Sequence, residues 1–559
     1  MNGLTRRPAD GGSRKTRTLI GEAGAFGLPL EPRLMMAADV LTYHNDNMRD
    51  GANLKETALT PANVNMNTFG ALGQVAVDGQ VYAQTLVKTN VKVPGKGVHN
   101  VVYVATEHDS VYAFDANTLK PLWQKSLVDP AKGVNVLPAA NVGIYPELGV
   151  TSTPVIDPTT NTMYVLANVT VTKPYGISIE QQLHAIDLGT GRDKFGGPVT
   201  LSGIAPGNGL GSVNGQTAYI TEVENQRSAL LLSKGVVYIA SASYGDVGPY
   251  HGWVLGYNAH TLKQVSAYND TPNGKWGGIW MSGGGPAADA AGNIYLTTSN
   301  GTFQPTGPNG GNYGDSVVKL SNAGSTATDY FTPADQGSLE AGDLDFGSGG
   351  IMLLPDQAGP NTHLAVTAGK EGTLYLLNRD NLGKFNPGGD QVVQSLDGAI
   401  PYSFDTPAYW NGHVYFGGGL AQDDPTQTPF RASLQAFSLV NGKLDPTPVS
   451  APGTYDWPGG NPVVSANGSK DGIVWAISGT DRSGNAVTLG TLHAYNASNI
   501  SQELYNSAQA GTRDAGGVYV KFTSPTVANG HVYVAGKKTL TMYGLLHPTA
   551  SKARPARGY

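Results

Sequence analysis

A short pattern that returns eight times limits this chain more than any other feature. An apolar strand runs into a turn: "SVYAFDANTLK", "LHAIDLGTGR", "VLGYNAHTLK", "VVKLSNAGST", "TLYLLNRDNLGK", "LQAFSLVNGK", "LHAYNASNIS" and "LTMYGLL". The closing residues are Asp115, Asp187, Asn258, Ser321, Asn378, Ser438, Asn496 and Gly544, and successive ones stand between 48 and 72 residues apart. Asp, Asn and Ser fold a short side chain back onto the backbone two residues on, and Gly accepts positive φ. Ahead of this column runs a second, of strands opened around Tyr103, Tyr164, Tyr238, Tyr295, Val366, Tyr415, Trp475 and Tyr533. Such residues suit a half-buried pleated surface, with an apolar ring below and a polar atom at the rim. A third column, Pro154, Pro286, Pro407, Pro462 and Pro525, starts each unit, where a strand loses no ladder donor to proline.

Each unit is therefore an antiparallel meander of about four strands in about 60 residues. One small meander cannot bury its apolar face alone, so the units must pack on one another. Eight twisted sheets arranged radially give an all-β, eight-bladed β-propeller. The last unit ends near Leu546 one strand short, whereas "FGALGQVAV" (Phe69 to Val77) precedes the first unit with nothing of its own to pair with. Pairing these two segments removes the edges that an open ring would expose. The division that follows is a basic leader over 1–41, a lead-in over 42–68, the propeller over 69–546 and a flexible tail over 547–559.

Composition agrees. Among 559 residues are 75 Gly and 35 Pro, and only 14% are charged, as many short strands and tight turns require. The net charge of −6 and the lack of a basic face in the body argue against a nucleic-acid partner. No apolar run is long enough for a transmembrane helix, and a monomer is expected. There is no cysteine, so disulfides, thiol nucleophiles, cysteine-ligated metals and C-x-x-C-H haem attachment are excluded within this chain. Residues 1–19 carry five Lys and Arg against Asp10, but "TLIGEAGAFGLPL" is too broken by Gly, Glu and Pro for an ordinary signal core. "LEPRLMMAADV" (Leu30 to Val40) resembles the LEPRxLL motif of exported bacterial proteins, with Met35 and Met36 where leucines are usual. An extracytoplasmic or secreted location is the expectation that follows.

The stretch "VYVATEHDSVYAFDANTLKPLWQ" is similar to the repeat of the pyrroloquinoline-quinone (PQQ) propellers, the quinoprotein alcohol dehydrogenase-like family. Stretches such as "GPYHGWVLGYNA", "WMSGGGPAADAAGNIY" and "AGKEGTLYLLNRDN" look like a bacterial group of PQQ-like propellers. The resemblance implies an eight-bladed propeller and makes PQQ with Ca²⁺ a candidate cofactor pair. The dehydrogenases of this family add an adjacent-cysteine disulfide and often a haem domain, and this chain has neither. The repeat is shared with non-enzymatic propellers, so fold alone does not decide function.

Loops between the second and third strands, and linkers between blades, open on one face of a propeller and carry its function. Glu107, His108 and Asp109 form such a loop, either a polar turn or part of a site completed by other blades. "YGDVGPYHGW" offers Asp246, Tyr250 and His251, the histidine reading most simply as a hydrogen-bonded structural residue. Trp276 and Trp280 sit among glycines in a linker, as a stacking floor for a sugar or quinone or as a channel plug. Asp343 and Asp345 form a D-x-D that could offer hard oxygens to Ca²⁺, without the rest of a calcium loop. Lys370 and Glu371 read as an exposed charged hairpin tip. Three functions stay open: a binding or scaffold module for a small molecule, glycan or protein; a PQQ- and metal-dependent oxidoreductase; or a hydrolase or lyase.

Overall fold

The computed structural model describes residues 38–139, 143–307, 310–321, 323–419, 432–481 and 487–546. Residues 1–37 of the basic leader, with most of the LEPRxLL-like motif, and the tail from 547 lie outside them. Within them the chain forms eight propeller blades in sequence, each running outward from its innermost strand, with blade eight taking its outermost strand from ahead of blade one. Two small two-stranded sheets, Ile204–Pro206 with Gln216–Ala218 and Phe303–Gln304 with Asn312–Tyr313, stand beside them. The inner strands are Leu86–Val93, Val155–Asp157, Leu231–Ser233, Ala287–Ala288, Met352–Leu353, Ala408–Trp410, Val463–Asn467 and Thr526–Ala528. This is an eight-bladed β-propeller. Five of the inner strands follow directly on the proline column.

Ring closure is as the unpaired ends of the repeat demand. Phe69–Ala76 pairs antiparallel with Thr539–Leu545, with Phe69 opposite Leu545 and Ala76 opposite Thr539. It is the outer strand of blade eight. Phe69 then packs on Tyr505, Trp475 and Tyr543, tying blade eight to blade seven.

The turn and tyrosine columns prove to be two halves of one device. Asp115 Oδ1 accepts from the Asn117 and Thr118 amides at 3.1 and 3.0 Å, and Asp187 and Asn258 repeat this at their own turns. In four blades the carbonyl of the residue directly after the column position, inside the turn, then faces the preceding blade. Tyr103 donates to Leu188 O, Tyr164 to Ala259 O, Tyr415 to Ala497 O, and Tyr533 to Ala116 O. The last of these joins blade eight to blade one. These four tyrosines are accordingly buried rather than half-buried, because their hydroxyls find partners in the next blade rather than in water.

Residues 40–53 add a feature the repeat does not foretell. They run once around the inside of the channel, meeting the blades in chain order. The inner strands face the channel with a free edge, and buried edge amides need acceptors. Val87 donates to Val40 O, Ile156 to Leu41 O, Ala288 to Asn47 O, Leu353 to Met48 O, Tyr409 to Asp50 O and Val464 to Gly51 O, at 2.7–2.9 Å. In each case the donor is the second residue of its inner strand. Blades three and eight are reached by side chains, Asn47 Nδ2 to Leu232 O and Asn53 Nδ2 to Val527 O, each at 2.8 Å. Tyr43 and His44 stack at 4.3 Å, and both are buried, as is Arg49. The strap thus fills part of the channel with its own side chains.

Candidate functional site

The loop-rich face carries a cleft of about 210 Å³ at the channel mouth. Arg227, Asp246, Trp280, Ser282, Asp345, Lys370, Phe404, Trp457, Lys521 and Phe522 line it, from blades three to eight. Most of these residues sit in the linkers, four to seven positions ahead of the next inner strand. A linker at that point has just crossed over the blade and turns down into the channel, so its side chain points to the axis.

The electrostatics of the cleft are lopsided. Arg227 is 8% exposed and Lys521 4%, yet among the described residues neither has a carboxylate within ion-pair distance. Their contacts are aromatic. The Arg227 guanidinium lies 4.6 Å from the Phe522 ring centre and 5.8 Å from that of Trp280. Lys521 Nζ lies 5.1 Å from the Trp457 ring and 5.6 Å from that of Phe522. Ring faces attract cations, but by about 2 kcal/mol at best, which does not replace the water a buried charge has lost. Burial, and then the repulsion of Arg227, pulls the Lys521 ammonium down from 10.5 to about 8, while Asp481 opposes the shift from further off. Burial likewise lowers Arg227, against Tyr82 and Glu107.

The third cation is paired. Lys370 Nζ meets Asp345 at 2.6 Å and Asp343 at 3.3 Å. The reading of Lys370 as an exposed tip is therefore corrected: it folds inward because two carboxylates across the linker draw it in, and its side chain is 19% exposed. The D-x-D converges on this ammonium. Asp343 itself stays on the surface, at the end of the short helix Gln336–Gly342, with φ of 53°.

Of the residues singled out on sequence, the cleft brings together Asp246, Trp280, Asp345 and Lys370. Tyr250 is buried beside it, its hydroxyl 3.2 Å from Asp246 Oδ1. His251 is structural, with Nδ1 at Thr271 Oγ1 and Nε2 at Leu210 O. Trp276 stands apart from the cleft under Lys275 Nζ, 3.5 Å from its ring centre. The loop of blade one divides. His108 is half-exposed and bonded to Glu147. Glu107 is buried, accepting from the Gly149 amide at 2.7 Å and Thr151 Oγ1 at 3.1 Å, and burial lifts its carboxyl to about 7. Asp109 is fully buried, and burial first and then the Glu107 carboxylate raise it well above the carboxylate range, against the Asn168 amide.

These groups do not fit a resident Ca²⁺. Among the described residues no three His, Asp or Glu side chains gather as a metal site. Asp345, which lines the cleft, is already held by an ammonium, and Arg227 and Lys521 add positive charge that repels a divalent cation. They do fit an anion. A flat anion would replace lost hydration at both buried cations while lying against Trp280, Trp457 and Phe522.

The sequence matches no known protein-family profile and no curated protein. Solved structures match along almost the whole chain. Quinohemoprotein alcohol dehydrogenase from Comamonas testosteroni superposes with a TM-score of 0.58 at 15% identity, over 91% of this chain and 80% of that one. A second quinohemoprotein alcohol dehydrogenase, from Pseudomonas putida HK5, gives 0.56 at 14%, over 93% and 82%. A europium-containing methanol dehydrogenase gives 0.52 at 11%, over 91% and 98%. Identities this low speak to architecture alone, and on that evidence the chain has the PQQ-type eight-bladed β-propeller fold of these dehydrogenases.

Proposed function

We propose that this propeller is a non-catalytic binding module, working outside the cytoplasm, that captures a small planar anion at its channel mouth. One observation carries this reading: Arg227 and Lys521 are buried together around the Phe522 ring, with no carboxylate within ion-pair distance among the described residues, facing one cleft. Natural proteins neutralise buried charges, so a pair left unneutralised at a cavity marks the place of a charged ligand. The LEPRxLL-like motif supports export. The test is calorimetric titration with benzene-1,3,5-tricarboxylate, a rigid planar anion, and with its neutral trimethyl ester. The acid should bind and the ester should not. Arg227→Met should abolish binding without lowering stability, because it removes an uncompensated buried charge. Equal affinity for acid and ester overturns the reading.

The second reading, a PQQ-dependent oxidoreductase, is supported by the fold. PQQ is itself a planar polycarboxylate, suited to the same cations and rings, whereas the metal of that reading finds no ligand cage beside Lys370. Titration with PQQ, with and without Ca²⁺, and a dye-linked alcohol oxidation assay separate the two. Turnover that requires Ca²⁺ would establish the enzyme.

A further inference from the structure

The buried strap and the mouth site share two stretches of wall. Arg227 begins a segment that descends to Leu230, and Trp280 and Ser282 begin another that descends through Gly283–Gly285 to Pro286. Three consecutive glycines carry no side chain to anchor the second segment. What holds it is bonding to its neighbours. Ser228 Oγ donates to Ile279 O at 2.8 Å and the Ala229 amide to Gly284 O at 2.9 Å, so the two segments move as one. At their lower ends both are grasped by one side chain. Arg49 Nε donates to Pro286 O at 3.1 Å, and Nη2 donates to Leu230 O at 3.2 Å. Nη1 is anchored in the strap itself, on Thr42 Oγ1 at 2.7 Å and Tyr43 O at 2.9 Å. A Cβ on Gly285 would stand 3.0 Å from Nη2 and 2.8 Å from Ala229 O, so that glycine admits the guanidinium.

A planar fork with five donors can bridge three strands at fixed angles, which an ammonium cannot. Arg49 is fully buried and has no acid among its hydrogen-bond acceptors, only carbonyls and one hydroxyl. A bond network of that kind fixes geometry rather than charge.

We infer that the strap braces the wall of the mouth site and that Arg49 is its positioning residue, setting the placement of Arg227 and Trp280 from below. The inference rests on the anion-binding reading for its ligand, but its structural half stands without it.

The experiment uses the full-length chain carrying 5-fluorotryptophan. The Trp280 ¹⁹F resonance is identified by its loss in Trp280→Phe. Arg49→Lys keeps the charge and removes the fork. Thr42→Ala keeps Arg49 and removes one anchor of its Nη1. Asn53→Ala cuts the strap from blade eight, on the far side of the ring from both wall segments. In Arg49→Lys the ligand-free Trp280 resonance should shift, and benzene-1,3,5-tricarboxylate should bind at least tenfold more weakly. Thr42→Ala should show the same changes in smaller degree, and Asn53→Ala neither, although all three lower the melting temperature. If Arg49→Lys does not fold, Thr42→Ala decides by the same two readouts. An unmoved Trp280 resonance with binding within twofold of the parent, in a folded variant, overturns the inference. If the parent does not bind the tricarboxylate, the anion reading fails and the Trp280 shift alone decides the role of Arg49.

Discussion

Anion capture at the mouth should draw a proton from solution, and Lys521 is the reason. Its ammonium titrates at about 8 in the folded chain against 10.5 ordinarily, lowered first by burial and then by Arg227. At 1.36 kcal/mol per unit, that difference is a penalty of about 3 kcal/mol on the charged form. Below pH 8 the folded and unfolded chains both hold the proton, and the penalty is fully present. Between 8 and 10.5 the folded chain sheds a proton that the unfolded chain keeps, so stability rises with pH across this window. A carboxylate seated against Lys521 reverses the shift and returns the amine towards its ordinary value. At pH 9 about nine-tenths of the free protein lacks the proton, and binding should take up about 0.9 proton per anion; at pH 6.5 the uptake should be close to zero. Affinity should fall about tenfold per pH unit between 8 and 10. Calorimetry at each pH in buffers of differing ionisation enthalpy measures the uptake directly. Lys521→Met is the control, since Glu107 and Asp405, both lifted to about 7 by burial, also titrate near neutrality. No uptake at pH 9, or an uptake that survives in Lys521→Met, refutes the reasoning.

Three further outcomes test the architecture. Deleting Phe69–Val77 removes the outer strand of blade eight and three aromatic contacts of Phe69, and should give aggregated protein in size-exclusion chromatography. Tyr533→Phe strands the buried Ala116 carbonyl at the junction of blades eight and one; urea unfolding should show a loss of about 1–3 kcal/mol with tricarboxylate binding unchanged. Asp109→Asn should stabilise at pH 7 by about 1–2 kcal/mol, because burial keeps the folded carboxyl protonated where the unfolded one ionises. In the parent that contribution falls as pH rises from 4, and in the variant this slope should vanish; Asn also tolerates the φ of 54° at this position.

The fold was legible because its determinants repeat. Asp115 and Tyr533 have counterparts at the same spacing in other blades, so spacing alone exposes them even though the blade-to-blade bonding of Tyr103, Tyr164, Tyr415 and Tyr533 does not show in sequence. The site is legible only in part, for a physical reason. Asp246, Trp280, Asp345 and Lys370 stand out because each is a conspicuous residue in a glycine-rich or charged loop. Arg227 in "VENQRSALL" and Lys521 in "YVKFTSP" do not, since a lone cation in an apolar stretch looks like any other surface charge. Their meaning comes from burial and from one shared neighbour, Phe522. A positional signal was present: Phe404, Trp457 and Lys521 all precede a column proline by three to five residues. The strap left no such trace, because its backbone carbonyls make most of the contacts and backbone has no sequence.

That last point bears on how a propeller can keep two unneutralised cations. The apolar clusters lie between neighbouring blades, and tyrosine-to-turn bonds reinforce four of the junctions, blade one to two, two to three, six to seven and, through Tyr533 and Ala116, eight to one. Stability is therefore distributed around the ring. A cost of about 3 kcal/mol at Lys521 falls on a structure with many independent sources of stability, so it need not unfold any one blade. The same cost confined to a small single core would be a large fraction of its total. The strap extends this logic to the channel. By accepting from the inner-strand amides of six blades, it satisfies backbone donors along the channel edge. Met281 and Ser282, both at positive φ, lie between Arg49 below and Trp280 at the mouth. Strain held in place by the structure around it, next to groups whose charge is unmet, is what preorganisation for a ligand looks like before the ligand arrives.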